Sequence, residues 1–322
     1  MLKCQGNGAT LEACAALPKQ DVIRVPSSGC RVLYVKEGEL AMNVDMEAFD
    51  FLGTDDATTC HVLLVRSRST NRVSVAHLNS PECCDGLGEV LSKLAAYGVP
   101  SVEDAEGGGL DVHVLGGLLH DPLSLDILQG LLEEMHTSSA QCYLQTLCVQ
   151  RFNHSSLPLT AKYSGNDDHE EFVFPALYGL GYCRLGGPGV FGDLERPLVA
   201  CPMSFPLAVR GPGSLLRRCA VFQPTVSTGL GVVFDGSEAA RFKIHYRPCH
   251  ADPDTIEYMM SMGEEEFLET ASTSPHCEPA HFGAEIREVL EFCLDPGALD
   301  RSFGGKAVLE YEMSASGEWV GV

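Results

Sequence analysis

Between residues 30 and 150, short runs of apolar residues, or of alternating polar and apolar residues, are separated by amphipathic stretches. Such runs are typical of strands, whereas apolar positions repeating every three or four residues predict helices. The predicted strands are residues 31–35, 40–42, 62–65, 72–77, 110–115 and 141–149, and the predicted helices are residues 84–97 and 123–135. This order predicts an α/β fold, a layered sandwich of mixed sheets flanked by helices.

The pattern is less regular in the remainder of the chain. Residues 154–170 are polar and predict a surface loop, and dense glycine and proline from 186 to 228 predict long connections. Strand character returns later. The further predictions are strands at 232–234, 242–246 and 307–311, and helices at 9–17, 253–262 and 279–294.

No repeat and no linker interrupts the chain, so we expect one domain over residues 1–322. Its core covers residues 30–150, and residues 151–322 elaborate that core. The elaboration includes a divergent, glycine- and proline-rich middle at residues 184–230.

Composition narrows the class of protein. Hydrophobic residues make up 45% of the 322, which is enough for a sizeable core. The formal net charge of −22 argues against nucleic acid or an anionic membrane as the main partner. No apolar run approaches the roughly 20 residues of a membrane helix, and the N-terminus lacks the apolar region of a secretory signal.

The 14 cysteines do not follow a disulfide or metal-binding pattern. There is no Cys-x-x-Cys pair, and the neighbours Cys83 and Cys84 are too close for an ordinary bridge. We therefore expect reduced thiols in a cytoplasmic or nuclear protein, most of them small core residues. No spacing resembles a zinc site, so no metal is predicted.

One cysteine stands where it would be exposed at the start of a strand. The polar loop 54–59 delivers Cys60 to the apolar run 62–65, and the alternating run 72–77 ends at His77. In a hairpin, the start of the first strand lies beside the end of the second. Cys60 and His77 are therefore predicted to meet at one rim of the sheet as a nucleophile and its base.

The string Gly-Thr-Asp-Asp-Ala-Thr-Thr-Cys-His at residues 53–61 closely resembles the signature of the protein N-terminal asparagine amidohydrolases. The agreement continues in register from about residue 31 to 311, with a poorly matched middle at 184–230. The other matching segments are residues 33–35, 39–41, 110–117, 146–149, 178–179, 272–275, 278–279, 281–282, 286–287 and 305–309.

This resemblance implies hydrolysis of the side-chain amide of an N-terminal asparagine, which gives an N-terminal aspartate and ammonia. It implies protein or peptide substrates with a free N-terminal asparagine and no cofactor. It also implies an Arg/N-degron context, in which the new aspartate is arginylated and the protein degraded.

The spacing of Cys60 and His77 also resembles that of the bacterial chemoreceptor glutamine deamidases, a distant relative. In those enzymes a threonine six residues before the cysteine orients the histidine, and that position is Thr54 here. The resemblance thus implies a deamidase-like core with Cys60, His77 and Thr54 as the catalytic residues. Their chemistry would pass through a thioester on Cys60.

Binding the substrate requires an oxyanion site and a partner for the free α-ammonium group. The backbone N–H groups of Thr59 and Cys60 are the natural oxyanion donors. For the ammonium, the first candidates are Asp55 and Asp56, for which the alternative is capping a turn. The second candidates are Glu278 and His281, although Glu278 with the following proline also resembles the start of the helix at 279–294.

Other residues near these motifs have structural interpretations. Strand alternation would point His61 to the face opposite Cys60, which favours a structural role. For His113, a buried, hydrogen-bonded strand histidine is a simpler expectation than a residue that lines the site. Gly116 and Gly117 are predicted to allow close backbone approach, because no phosphate-binding glycine pattern is present.

Three alternatives remain open. A cysteine-dependent deamidase of internal glutamine side chains is the first, and it would ignore the substrate's α-amine. An inactive scaffold that binds N-termini without turnover is the second. A generic cysteine protease is the third and weakest, because no papain- or caspase-type cysteine motif is present.

Overall fold

Two mixed β-sheets lie face to face, and helices cover the outer side of the larger sheet. The computed structural model describes residues 2–4, 21–97, 109–158, 171–184, 198–219, 230–237, 240–246, 252–272, 274–295 and 297–322. The α/β class and the layered arrangement predicted from the sequence are confirmed. The helix predicted at 9–17 lies outside the described residues.

The larger sheet has ten strands within the described residues, here numbered in chain order. From one edge to the other they are β1 (Leu2–Cys4), β9 (Cys142–Val149), β8 (Leu110–Gly116), β6 (His61–Ser67), β7 (Val73–Leu78), β4 (Glu39–Val44), β14 (Gly231–Asp235), β15 (Phe242–His245), β16 (Val308–Met313) and β17 (Trp319–Gly321). The β6–β7 and β6–β8 pairs are antiparallel, whereas β8–β9 and β4–β14 are parallel. Strands from the second half of the chain therefore extend the sheet begun by the first.

The smaller sheet and a separate hairpin complete the described β-structure. In spatial order the smaller sheet has β2 (Ile23–Arg24), β13 (Leu198–Ser204), β12 (Leu180–Arg184), β5 (Phe51–Thr54) and β3 (Val32–Tyr34), and the hairpin pairs β10 (His154–Pro158) with β11 (Glu171–Pro175). The described α-helices are α1 (Leu87–Ala96), α2 (Pro122–Thr137), α3 (Ser214–Cys219), α4 (Pro253–Ser261), α5 (Glu264–Ala271), α6 (Phe282–Leu294) and α7 (Ala298–Phe303). Short 3₁₀ turns span Pro81–Cys84, Gln150–Phe152, Leu207–Val209 and Pro275–Cys277.

Alternation along β6 separates the two main cores. Val62 and Leu64 face the smaller sheet, in one cluster with Leu52 of β5. Leu63 and Val65 face the opposite way and pack among the apolar side chains of α1 and α2. Because β6 is buried on both faces, its sequence is a continuous apolar run, as is expected of a central strand.

Three predictions about the second half are wrong in whole or in part. Residues 154–158 are a strand rather than a loop, because β10 pairs along its whole length with β11. A two-stranded ribbon carries polar side chains readily, and that polarity disguised the strand. The stretch 186–228 contains β13 and α3 as well as connections, and the helix predicted from residue 279 begins at Phe282.

No helix within the described ranges is long and apolar enough to cross a bilayer.

Candidate active site

The hairpin of β6 and β7 brings Cys60 and His77 to the same rim of the larger sheet. Val62 lies opposite His77 in this ladder, so the start of β6 is beside the end of β7, as predicted. Both residues line a cavity of about 270 Å³. Cys60 and His77 are nearly fully buried, at 8% and 3% exposure, so the cavity is the route by which a substrate reaches them.

Thr54 holds the His77 imidazole from the facing sheet. It ends β5 in the smaller sheet, and its Oγ1 lies 2.7 Å from His77 Nδ1. The hydroxyl of Thr54 also lies within 3.5 Å of the carbonyl oxygen of Asp55, to which it is able to donate. With that donation made, Thr54 accepts from Nδ1–H and leaves the lone pair on Nε2.

The Nε2 atom of His77 is buried and has no hydrogen-bond partner among the described residues. Burial lowers the pKa of His77 and raises the pKa of the Cys60 thiol well above its ordinary value. A hydrogen bond from Thr59 and the charges of Glu37 and Glu278 also act on the thiol, with Thr59 lowering its pKa and the two carboxylates raising it. Both shifts favour the neutral forms, a thiol on Cys60 and an unprotonated imidazole on His77.

Asp55 lies in the loop before Cys60 and is buried behind the cavity. Its Oδ1 accepts a hydrogen bond from Tyr34 Oη at 2.9 Å, and its Oδ2 accepts one from the backbone N–H of Phe205 at 2.5 Å. Arg210 lies 3.0 Å away in a salt bridge in which both side chains are 5% exposed. Burial and the charge of Asp56 raise the pKa of Asp55 to about 6, and Arg210 opposes that rise.

Asp56 has a left-handed backbone, with φ of 59°. Its carboxylate shares Arg210 with Asp55 and also reaches His281. Its Oδ2 forms a salt bridge with Arg210 and lies 3.4 Å from Nε2 of His281. Burial raises the pKa of Asp56, but hydrogen bonds from His281 and Arg210 outweigh it and leave the pKa well below its ordinary value. Asp56 therefore stays ionised at lower pH than Asp55, and it stabilises the protonated form of His281.

Arg210 is the main residue that sequence reasoning missed. It is 4% exposed, and its guanidinium bridges both aspartates while Nε donates to the carbonyl of Phe205 at 3.1 Å. The ring of Tyr34 lies 5.1 Å from its guanidinium carbon. A signal for it was present in the surplus of acidic residues in the loop, because adjacent buried carboxylates need a cation. No periodicity indicates which of 22 lysines and arginines supplies it.

The cavity wall carries more negative than positive charge. Among the described residues, four carboxylates line it, from Glu37, Asp55, Asp56 and Glu278, together with one amine, from Lys36. The Lys36 amine donates to the carbonyl and hydroxyl oxygens of Ser214, at 3.1 and 2.9 Å. Such a wall attracts a cationic group on a substrate.

The two later candidates, Glu278 and His281, are more than 200 residues away from Asp55 and Asp56 in the chain. In the folded protein they lie close to the same loop. Glu278 lines the cavity and accepts a hydrogen bond from Ser272 Oγ at 2.5 Å. His281 contacts Asp56 rather than the cavity itself. The connection between α5 and α6 therefore brings these side chains to the Asp55–Asp56 loop.

The loop around Thr59 is held by the start of α2. Ser124 Oγ donates to the carbonyl oxygen of Thr59 at 2.7 Å, and Asp121 caps the helix by accepting from Ser124 N–H. The backbone carbonyl oxygen of Cys60 in turn accepts a hydrogen bond from the N–H of Gly117 at 2.9 Å. Within the described part of the chain, the amide of Cys60 has no hydrogen-bond partner, which leaves it available to a ligand in the cavity.

The glycine pair after β8 serves close packing, as expected. Gly116 has φ of 127°, and a Cβ there would collide with the carbonyl of Cys60. A Cβ on Gly117 would lie 2.7 Å from Nε2 of His61. Only glycine is compatible with both the backbone angle and the space.

The two further histidines occupy structural positions. His61 is fully buried, and neither ring nitrogen has a partner in the described part of the chain. His113 lies 3.0 Å from Thr146 Oγ1 and packs edge-on against Tyr182. Burial lowers the pKa of His61 to about 3 and that of His113 to about 4, so both are neutral near pH 7.

His61 makes the stability of the fold depend on pH. An unfolded histidine binds a proton below about pH 6.5, whereas folded His61 stays neutral down to a pKa of about 3. The unfolded state thus binds more protons between these values, and stability falls as the pH decreases. The expected loss is about 1.4 kcal/mol per pH unit from this residue. Urea unfolding at a series of pH values measures it.

The control for this prediction is His61→Leu, which keeps an apolar side chain of similar size but cannot titrate. Its unfolding free energy is expected to depend less steeply on pH, with His77 and His113 still contributing. Equal slopes for the two proteins between about pH 4 and 6 would contradict a neutral, buried His61.

Among the residues that the structure describes, no three histidine, cysteine, aspartate or glutamate side chains gather in a way that would hold a metal ion.

Comparisons with known proteins agree with the resemblance carried by residues 53–61. The model of the family described as protein N-terminal asparagine amidohydrolase matches residues 23–182 and 191–321, a match that includes the cavity lining and Arg210. The protein N-terminal asparagine amidohydrolase of Mus musculus is 27% identical over 314 residues, which cover 96% of this chain and 89% of that protein. The Homo sapiens protein of the same name is 26% identical over 311 residues (96% and 89%), and the Arabidopsis thaliana protein is 27% identical over 300 residues (90% and 80%).

Proposed function

Since this chain belongs to the protein N-terminal asparagine amidohydrolase family, we propose that it hydrolyses the side-chain amide of an N-terminal asparagine. The products are an N-terminal aspartate and ammonia. The observation that carries the proposal is the cavity itself, which joins Cys60 and His77 to a wall of carboxylates. A thiol–imidazole pair suits attack on an amide, and the carboxylates suit the free α-ammonium group.

In the first half of the reaction, Cys60 Sγ attacks the carboxamide carbon as its proton passes to His77 Nε2. Because the resting thiol is neutral, proton transfer accompanies the attack. The tetrahedral oxyanion accepts a hydrogen bond from the amide of Cys60. The C–N bond then breaks, the imidazolium of His77 gives its proton to the leaving nitrogen, and ammonia departs from a thioester.

In the second half, water replaces ammonia. His77 Nε2 takes a proton from the water as its oxygen attacks the thioester carbon, and the C–S bond breaks. The proton returns to Sγ, which leaves a free thiol and a carboxylic acid that ionises to aspartate. Thr54 keeps Nδ1–H engaged throughout, so Nε2 remains the atom that takes and gives the proton.

The α-ammonium group is the feature that separates an N-terminal from an internal asparagine. Asp55 is occupied by Tyr34, Phe205 and Arg210, and it supports the loop. Asp56 keeps its charge and uses Oδ2 for its contacts with the described residues, which leaves Oδ1 for the ligand. We assign the ammonium to Asp56 together with Glu278, which lines the same cavity.

The product carries an N-terminal aspartate, so the reaction would supply the Arg/N-degron route in the cytoplasm or nucleus. Two observations support that setting. The chain belongs to this family, and the cysteines whose side chains the structure describes are free thiols, as expected in a reducing compartment.

Two matched peptides test the proposed function, one beginning with asparagine and the other with acetyl-asparagine. Ammonia release and a mass increase of about 1 Da are expected for the free amine, with at least about 100-fold less for the acetylated peptide, since acetylation removes the charge that the carboxylates bind. Equal turnover of both peptides would instead indicate a side-chain deamidase that ignores the amine. A folded protein that binds the free peptide but releases no ammonia would indicate a scaffold.

A further inference from the structure

Two thiols that the proposed reaction does not use lie side by side in the smaller sheet. The Sγ atoms of Cys183 on β12 and Cys201 on β13 are 3.6 Å apart, and the two residues are 3% and 5% exposed. β12 and β13 are antiparallel neighbours, in which Cys183 pairs with Val199 and Cys201 pairs with Gly181. The two cysteines are therefore diagonal neighbours whose side chains share one face of the sheet.

This face points away from the larger sheet. Tyr182 packs in the core between the two sheets, in one cluster with Leu52. Cys183 and Cys201 belong to a separate cluster, which also contains Phe205. The pair thus lies outside the core between the sheets, and its small exposed fraction favours reaction with a small oxidant such as hydrogen peroxide over reaction with a bulky reagent.

The two thiols differ in how readily they ionise. A hydrogen bond from Cys201 lowers the pKa of Cys183, although burial opposes this shift. The same hydrogen bond, together with burial, raises the pKa of Cys201. Because the thiolate is the reactive form of cysteine, Cys183 is the thiol that an oxidant attacks first, and Cys201 is the neighbour that reacts with the product.

We propose that Cys183 and Cys201 are a reversible oxidative modification site, a dithiol that peroxide converts to a disulfide and that a thiol reductant restores. The sulfur atoms have to approach from 3.6 Å to the roughly 2.05 Å of an S–S bond. In a compartment that keeps thiols reduced, a disulfide of this kind is typically transient and redox-sensing.

The oxidation takes place in two displacements. In the first, the Cys183 thiolate attacks a peroxide oxygen, the S–O bond forms as the O–O bond breaks, and hydroxide leaves and takes the proton of Cys201. In the second, the Cys201 thiolate attacks the sulfenic sulfur of Cys183, the S–S bond forms, and the S–O bond breaks. The second hydroxide takes up the proton first released by Cys183, so two thiols lose two electrons and one peroxide becomes two waters.

The bridge is connected to the loop that contains Asp55 and Asp56. β13 leads from Cys201 directly to Phe205, whose N–H donates to Asp55 Oδ2 at 2.5 Å. The Tyr34 ring lies 5.2 Å from the ring of Phe205, and its hydroxyl donates to Asp55 Oδ1.

Oxidation is therefore expected to disturb the binding of the substrate. Diagonal partners in a sheet lie farther apart than directly opposite partners, so a bridge draws β13 toward β12. We expect the support of Asp55 by Phe205 to change and the KM of an asparagine-initiated peptide to rise. This effect on KM rests on the proposed function, whereas the formation of the disulfide does not.

The Cys60→Ala protein tests the bond itself, because peroxide cannot oxidise the proposed nucleophile there. After peroxide treatment and removal of the excess with catalase, we expect the intact mass to fall by about 2 Da. Proteolysis without reduction should give a peptide that joins Cys183 to Cys201, and dithiothreitol should separate it. Adding Cys201→Ala is expected to prevent the crosslink and to leave a sulfenic acid on Cys183.

Proteins that retain Cys60 test the effect on turnover. For the unsubstituted protein, KM is expected to rise about tenfold after oxidation and to recover with dithiothreitol. Cys201→Ala should keep its basal activity and show no rise in KM. Oxidation of Cys60 would instead lower kcat in both proteins alike. The matched control is Cys142→Ala, which removes a fully buried thiol of the larger sheet and should respond as the unsubstituted protein does.

The outcomes separate this proposal from the proposed function. If the crosslink forms but no reduced protein releases ammonia, the modification site stands and the amidohydrolase reaction fails. If ammonia is released but peroxide gives no crosslink, or one that joins other cysteines, the reaction stands and the modification site is overturned. A crosslink that leaves KM unchanged would overturn the connection to the Asp55–Asp56 loop.

Discussion

Replacing Cys60 with alanine is expected to lower ammonia release from an asparagine-initiated peptide by at least about 10⁴-fold. The thiol is the only group of the protein that forms a bond to the substrate carbon in the proposed reaction, so nothing remains to carry the acyl group. Peptide binding should survive, since the substitution leaves the proposed ammonium partners, Asp56 and Glu278, unchanged. Initial rates of ammonia release and a peptide-binding titration measure the two effects.

The matched control for this variant is Cys148→Ala. Cys148 belongs to the same buried core cluster as Cys60, but it does not line the cavity. Burial raises the pKa of Cys148 to about 12, so its side chain is a neutral thiol that packs in the core. Its variant should lose some stability and keep its kcat. A Cys60→Ala protein with rates within about tenfold of wild type would exclude Cys60 as the nucleophile.

Replacing Arg210 with methionine is expected to destabilise the fold by about 3–5 kcal/mol at neutral pH. Methionine fills much of the space but leaves Asp55 and Asp56 as adjacent buried carboxylates without their cation. The surviving protein should also show a higher KM, because the loop that presents Asp56 loses its support. Urea unfolding and peptide kinetics measure the two consequences.

The pH dependence of this loss has a definite sign. Burial and Asp56 already raise the pKa of Asp55 to about 6, and removing Arg210 raises it further. In the folded variant, Asp55 therefore keeps its proton at pH values where Asp55 of the unfolded chain, with an ordinary aspartate pKa of about 3.9, has lost it. Its deficit relative to wild type is expected to shrink as the pH is lowered from 7 to 5 and to grow as the pH rises.

Arg241→Met is the control for charge and side-chain size. Arg241 also bridges two carboxylates, those of Glu310 and Glu312, but on the exposed edge of the larger sheet, where it is 33% exposed. Little change in stability is expected there, because water solvates the carboxylates that remain. Equal effects of the two substitutions would show that burial does not determine the role of Arg210. Partial rescue of Arg210→Met by Asp56→Asn would identify carboxylate repulsion as the cause.

The pairing of Cys60 with His77 could be predicted from the sequence because a hairpin is local. Two strands with a short connection have few ways to pair, and the apolar alternation selects the register that buries the correct face. The register of Val62 with His77 follows from this. The chain order of strands and helices in the first half was predictable for the same reason, since each element carries its own periodicity.

The hairpin of β10 and β11 and the strand β13 were not predictable in this way. Each is held by a partner strand rather than by its own apolar pattern: β10 pairs with β11, and β13 pairs with β12. A strand tolerates polar residues, glycine or proline where a partner strand supplies the hydrogen bonds. These residue types are also typical of loops, so the local pattern predicted loops.

The layered α/β class, the Cys60–His77 hairpin and the glycine pair that packs against it could be predicted from the amino-acid sequence alone, because each depends on local periodicity or on a contiguous motif. The contact of Thr54 with His77 from the other sheet, the neutralisation of the aspartate loop by Arg210 and the contact of His281 with Asp56 arise only when the chain is folded. These contacts join residues 23 to more than 200 positions apart. Charge and hydrogen bonding act through space without a repeat along the chain, so no sequence pattern records which partners meet.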